Sequence, residues 1–256
     1  MTSFSSHDIL VLIMPEINDR EIQILKAVID EYISTAEPVG SEKLDKKYSL
    51  GISPATIRNE MVKLTKLGYL KQPHTSAGRI PTHIALKFYV NSLMKPEDLS
   101  VADEVSVKQK LWDHKDKMDN LLRQATRSLA QYTKTMSLAA TNEGDIYSAG
   151  VGNILDMPEF YDIDVTRQLL ATLDEYDYWW HVFERNIEAQ DPLHVLLGED
   201  LGPKLLESCG CVFVTFRSPH HQGAIGIVGP SRLNFPHIIP VIRYIGRIVD
   251  EVSRNW

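Results

Sequence analysis

GISPATIRNEMVKLTKLGYLKQPHTSAGRIPT, residues 51–82, contains a helix start, a helix stop, a short apolar step and a basic turn with a glycine in it. The Ser53 hydroxyl is suited to cap the orphan amides of a first turn, and Pro54 at the first helical position has no N–H to lose and a φ already helical. The spacing therefore predicts a helix from Pro54. Ile57, Met61, Leu64 and Leu67 recur at helical intervals and face a core, which leaves Ala55, Thr56, Arg58, Asn59 and Lys63 on the outer surface. Small, amide and cationic side chains on an exposed helix face suit contact with base edges and phosphates in a major groove. Gly68 ends the helix, and Tyr69 and Leu70 open a strand. Residues 72–79 then hold the turn formers of a hairpin tip. His74, Thr75 and Ser76 are candidate contacts there, and Arg79 is placed to reach a phosphate or a minor groove. The outline is that of a winged helix, with double-stranded DNA as the expected partner.

Two helices precede this stretch. Asn18 followed by Glu21 resembles a capping box, and Ile22, Leu25, Ile29, Tyr32 and Ile33 form an apolar stripe until Pro38 and Gly40 stop the helix. Ser41 caps a short second helix through Leu44 to Tyr48 and joins the candidate DNA contacts. The turn at 49–52 then leads into the recognition helix, the order of a helix-turn-helix.

Downstream, a helix from Thr82 carries Leu86, Tyr89, Val90 and Leu93 until Pro96 interrupts it. A long helix is expected over 101–139. Apolar or small residues at 111, 118, 122, 125, 129, 132 and 136 give it a heptad-like seam, of which Leu111, Met118 and Leu122 are candidate contacts with a second copy. The C-terminal half of that seam is expected to cover the chain's own sheet, and for the half around Leu111 to Leu122 such internal packing is an equal alternative to contact with a second copy. Strands are expected at 145–151, 193–198, 211–217 and 224–228, with helix over 159–186, a tight turn at Gln222 and Gly223, and a last helix over 236–254. Strands alternating with helices in this way indicate an α+β sheet domain.

Charge separates the two halves. The 256 residues carry a formal net charge of −7, which taken whole argues against a nucleic-acid partner. Between Lys43 and Lys87, however, nine Lys or Arg face only Asp45 and Glu60, whereas residues 96–256 hold 15 basic and 24 acidic residues. An acidic body on a basic head restrains nonspecific DNA affinity while the head still neutralises phosphates. Cys209 and Cys211 are the only cysteines, and one intervening residue makes a bridge between them difficult, so a reduced compartment fits. They and the neighbouring His220 and His221 read as strand and turn residues; neither a metal nor any other cofactor is expected. No run reaches the ~20 apolar residues of a membrane span. Residues 1–15 read as a tail, and Met14 is a second candidate for the true start. GIVG at 226–229 lacks the spacing of a phosphate cradle, the aromatic cluster of Tyr176, Tyr178, Trp179, Trp180 and Phe183 sits among acidic residues, and Glu199 and Asp200 have no nucleophile beside them. An enzyme is therefore not expected.

EYISTAEPVGS (31–41), SPATIRNEMVKLTKLGYLKQPHTSAGRIPT (53–82) and FYVNSLM (88–94) resemble the N-terminal domain of the HrcA-type heat-inducible transcription repressors. SLAQYT (128–133), GNILDMPEF (152–160), LLGEDL (196–201) and GAIGIVGPSRLNFPHIIPVI (223–242) resemble that family's GAF-like C-terminal domain, so that about four fifths of the chain is covered. The resemblance implies a tail (1–15), a winged-helix DNA-binding domain (16–95), a linker and long helix (96–140) and a GAF-like regulatory and dimerisation domain (141–256). Family members are usually longer. The part missing here falls between about Ala140 and Glu143, where the first portion of the GAF-like domain and a dimerising insertion belong. By resemblance the function is a cytoplasmic, dimeric repressor of chaperone genes that binds an inverted-repeat operator and is kept active by the chaperonin. The alternative is a ligand-sensing winged-helix regulator whose GAF-like domain binds a small metabolite.

Overall fold

Four helices and a two-stranded ribbon form the first of two units in this computed structural model, which describes residues 16–115, 117–218 and 221–254; the units divide between Leu93 and Met94. Helix α1 (Asp19–Thr35) starts at the expected capping box, with Glu21 N–H donating to Asn18 Oδ1 at 3.1 Å and Asn18 N–H donating to Glu21 Oε2 at 2.9 Å. It stops before Pro38, because Ala36 takes a left-handed φ of 59° and its N–H closes on Tyr32 O. The fully buried stripe is Ile24, Leu25, Val28 and Ile29, so Ile22, Tyr32 and Ile33 of the expected stripe are only half-buried.

Helix α2 (Ser41–Tyr48) is capped by Gly40 rather than Ser41, with no side-chain hydrogen bond at its cap. Helix α3 (Pro54–Lys66) starts where the sequence predicts. Ser53 Oγ accepts the Thr56 N–H at 3.2 Å, and Ile57, Met61 and Leu64 are buried. Strands β1 (Leu70–Lys71) and β2 (Ile80–Pro81) pair antiparallel, Leu70 opposite Pro81. Helix α4 (His83–Phe88) widens into a π turn at Tyr89–Leu93, and the Tyr89 hydroxyl returns to α1 by donating to Asp30 at 2.6 Å.

The second unit is mixed α+β around a five-stranded antiparallel sheet. Its strands are β3 (Met136–Thr141), β4 (Ile146–Ala149), β5 (Leu193–Leu197), β6 (Cys209–Arg217) and β7 (Gln222–Pro230), in the order β4-β3-β7-β6-β5. Met136, Leu138, Ala140, Cys209, Cys211 and Phe213 point to one face, where helices α7 (Ile163–Thr172) and α8 (Tyr176–Glu184) bring Leu169, Trp179 and Phe183. Trp179 and Phe183 are fully buried, so the centre of the aromatic cluster is core. The other face carries Ser137, whose hydroxyl donates to Thr126 O of helix α6 (Met118–Thr133) at 2.6 Å. Helix α9 (Phe235–Ser253) packs there too, so close that a Cβ on Gly246 would sit 2.2 Å from Val214 Cγ2. Helix α5 (Val101–Trp112) lies against both α6 and α9.

Several expectations are corrected. The region 101–139 is α5, a break, α6 and then β3. Lys134, in a left-handed turn with φ 54°, ends α6, and Met136 belongs to a strand. Leu111 and Leu122 are fully buried and Met118 is 9% exposed, so the side chains expected to meet a second copy are packed inside this unit. Gln222 and Gly223 do not form a turn: they pair with Arg217 and Phe216 inside β7, and the chain reverses before them, where Ser218 N–H donates to His221 O at 2.8 Å. The helix expected over 159–186 is two helices with a short 3-10 turn before them. GIVG is close packing within a strand, since a Cβ on Gly226 would lie 2.3 Å from Val212 O. Burial pushes the Cys209 thiol up to about 12 and raises Cys211 as well. Among the described residues no group of three His, Cys, Asp or Glu is placed to hold a metal ion, and no helix is long and apolar enough to cross a membrane. His220 and the 1–15 tail with Met14 lie outside the described residues.

Candidate nucleic-acid interface

Helix α3 turns the side chains named from the sequence outward. Ala55, Arg58, Asn59 and Lys63 are exposed and Thr56 is half-buried, while the opposite face carries the buried Ile57, Met61 and Leu64. Ser53 is exposed as well, but its hydroxyl is engaged with the Thr56 N–H and lies 2.9 Å from Thr56 Oγ1. Lys63 Nζ is 2.7 Å from Glu60, whose carboxylate is buried at the root of the helix and also lies 4.0 Å from Arg20. Arg58 is different: among the described residues Arg58, Lys66 and Lys71 make no ion pair.

A cleft of about 400 Å³ separates α3 from the loop at 72–79 and is lined by Val39, Gly40, Ser41, Arg58, Met61, Gln72 and residues 75–79. Ser41 is only 6% exposed, and its side chain lies at the cleft wall rather than on a contact surface, which corrects its placement among the outer contacts. His74, Thr75 and Ser76 are exposed at the loop tip, with His74 Nδ1 3.3 Å from Ser76 Oγ.

Arg79 is not at the tip. Its N–H donates to Val39 O at 2.9 Å and its carbonyl accepts the Val39 N–H at 2.9 Å. Its guanidinium turns back to Thr65 Oγ1 at 3.2 Å and to the Ala77 and Gly78 carbonyls. The half-buried side chain thus ties the loop to α3. Gly78 lets the loop approach residue 39: a Cβ there would lie 2.3 Å from Val39 O, a clash with backbone. Gln72, in the sequence only the first residue of the hairpin tip, donates its amide to both Thr75 O and Ala77 O at 2.9 Å and so shapes the loop. A glutamine opening a run of turn formers was its only signal.

Helix α2 is fixed from below. Glu31 of α1, 1% exposed, receives Lys47 Nζ at 2.5 Å, Lys43 Nζ at 2.9 Å and the Tyr48 hydroxyl at 3.1 Å. The Lys47 hydrogen bond, helped by Lys43 and Tyr48, overcomes the burial that opposes it and holds the Glu31 carboxyl down at about 2. The pair of lysines spaced four apart was counted in the sequence only as basic charge, because their acceptor lies on another helix, 16 residues from Lys47.

Residues 82–239 match the family described as HrcA protein C terminal domain. The match opens at Thr82, the N-cap of α4. The heat-inducible transcription repressor HrcA of Symbiobacterium thermophilum is 25% identical over 339 aligned positions, which cover 93% of this chain and 99% of that protein. With 256 residues here, that relative carries a stretch which this chain lacks. The HrcA repressor of Clostridioides difficile is 44% identical over 126 positions, covering 49% of this chain and 37% of that one. A crystal structure described as that of a hypothetical protein shares the fold, with a TM-score of 0.72 at 18% identity over 94% of this chain and 99% of that chain. With the family's match extending over more than half of its residues, this chain belongs to the HrcA family, whose curated relatives are heat-inducible transcription repressors.

Proposed function

We propose that residues 16–95 form a winged helix that reads operator DNA, with α3 entering the major groove and the 72–79 loop acting as the wing. Arg58 carries this reading. It is exposed, makes no ion pair among the described residues, and stands beside Asn59 and Ala55 on a helix capped by its own serine. A guanidinium fork meets guanine O6 and N7, and an amide meets adenine N6 and N7, so these two side chains supply base readout. Thr56, Lys63, His74, Thr75 and Ser76 supply the surrounding polar and phosphate contacts, and Ser53 and Arg79 hold the helix start and the loop in place.

Residues 141–256, with the GAF-like sheet, and the helices of 96–140 serve dimerisation and regulation. The whole is a cytoplasmic repressor of chaperone genes that acts as a homodimer on an inverted repeat, and the chaperonin is the partner that keeps it active. The experiment is a gel-shift titration of the full chain on DNA from upstream of its chaperone genes, with a scrambled duplex and a single half-site alongside. Tight binding to the inverted repeat is expected, exceeding the scrambled duplex by ~10³-fold or more. Equal affinity for both sequences would overturn sequence-specific readout.

A further inference from the structure

Helix α9 and the end of β6 border a cleft of about 630 Å³ in the second unit, together with the segment 187–192 and with Asp98, Leu99 and Glu104 around the start of α5. That volume lies within the ~300–1,000 Å³ of small-molecule sites. Val214 and Phe216 of β6, with Leu99 and Pro240, give the cleft an apolar lining. Its charged side chains are Arg217, Arg243, Arg247 and Arg254 against Asp98, Glu104 and Asp250. Most of this charge is already matched. Arg217 lies 3.3 Å from Glu188, Arg243 3.2 Å from Asp191 and Arg254 2.6 Å from Asp250. Among the described residues Arg247, Asp98 and Glu104 make no ion pair, so one cation and two carboxylates are left over.

Arg247 and Glu104 meet at Tyr244. The Arg247 guanidinium lies over the Tyr244 ring, 5.3 Å from its centroid, and the Tyr244 hydroxyl donates to the Glu104 backbone oxygen at 2.8 Å. Burial raises the pKa of that hydroxyl, the Glu104 charge raises it further and Arg247 opposes them, so both charges act on one ring. A guanidinium stacked on an aromatic face keeps its in-plane N–H fork free for a carboxylate. A simple anion entering here would face the Glu104 and Asp98 carboxylates, and a simple cation would face Arg247. A zwitterion answers both signs.

We infer that this cleft binds a free α-amino acid with an apolar side chain, its carboxylate on Arg247, its ammonium towards Glu104 and Asp98, and its side chain on the lining of Leu99, Val214, Phe216 and Pro240. Such a molecule joins one negative charge, one positive charge and an apolar body, which are the three things the cleft leaves unmatched. Polyphosphates and other multiply charged anions are disfavoured, because a single unpaired guanidinium stands among carboxylates. The site lies wholly in the second unit and stands or falls independently of the DNA reading, which concerns residues of the first.

The test is isothermal titration calorimetry of the full chain with L-leucine and L-phenylalanine as probes, and with isocaproate, which is leucine without its ammonium, alongside. Binding of at least one amino acid is expected, with isocaproate weaker than leucine by about tenfold or more. Arg247→Gln and Glu104→Gln should each weaken the amino acid by about tenfold or more. Arg247→Lys keeps the charge without the planar fork and should fall between Arg247→Gln and the parent. A circular dichroism melt checks the fold of each variant; Arg247 is exposed, and the Tyr244 bond uses the backbone of Glu104, which Glu104→Gln leaves in place. No heat from either amino acid would overturn the site. Isocaproate binding as tightly as leucine would overturn the zwitterion, and parent-like affinity in Arg247→Gln or Glu104→Gln would take the ligand out of this cleft.

Discussion

Arg58, Gly78 and Glu31 each do one job in the N-terminal unit, and each can be tested alone. If Arg58 meets a base edge, Arg58→Ala weakens operator binding by ~1–3 kcal/mol and relaxes preference at one position. A phosphate role would instead lower affinity on all duplexes and flatten the salt slope by about one unit. Either result is read from gel shifts at several salt concentrations, and unchanged binding removes α3 from the interface. Gly78→Ala drives a methyl into the Val39 carbonyl, 2.3 Å from the ideal Cβ, so the loop has to move. Thermal unfolding should report a loss of ~1–3 kcal/mol. Glu31 acts through pH. Its carboxyl is held at about 2 in the folded chain against an ordinary value of 4.5, so its stabilisation is complete above 4.5 and drains away as pH falls towards 2. Glu31→Gln should cost ~1–3 kcal/mol at neutral pH and flatten the dependence of urea stability between pH 5 and 2. A parent and variant with parallel pH profiles would show that Lys43 and Lys47 are not held by that carboxylate.

At the scale of elements, capping chemistry was the legible part and burial on both sides the illegible part. Asn18 with Glu21, Ser53 with Pro54, and Thr82 all mark helix starts that the structure has at those positions. The signals work because a cap is a local hydrogen bond. Strand β3 was missed because Met136 continues the spacing of the helical seam, and because all six of its residues are buried, Ser137 and Thr141 included, so that burial does not follow their polarity. The break after α5 contains neither glycine nor proline, and α6 ends on a left-handed lysine, so nothing punctuated the seam. In the candidate site the outer residues of α3 were legible from periodicity. The inward turn of Arg79 was not, because Thr65 and Val39 lie outside the loop that displays it. Helix α9 carries a further local effect: Pro240 has no N–H for Pro236 O, and that oxygen accepts the Glu97 N–H at 2.8 Å. Pro240→Ala restores an intrahelical donor that competes for the oxygen. The Glu97 amide should then exchange with deuterium faster than in the parent; equal protection would mean the proline does not hold this segment.

Across the whole molecule, a basic head precedes an acidic remainder, and charge count along the sequence was enough to see it. With Arg58, Lys66 and Lys71 in no ion pair among the described residues, affinity for any duplex should fall with salt at a logarithmic slope of about −3 or steeper per bound copy. A slope near zero between 50 and 200 mM salt would separate the basic surface from DNA altogether. Strand pairing was not legible at this scale, because it joins residues far apart: Met136 lies opposite Val228 and Thr141 opposite Gly223. That pairing sets a timetable for synthesis. The first unit ends at Leu93, so the head can take shape once it clears the ribosome. Strand β3, in contrast, emerges long before β7 and until then shows an unpaired apolar edge, the kind that sticks to other nascent chains. From the release of β4 until β7 arrives, the order of the sheet leaves one side of β3 open to whatever other strand is nearby.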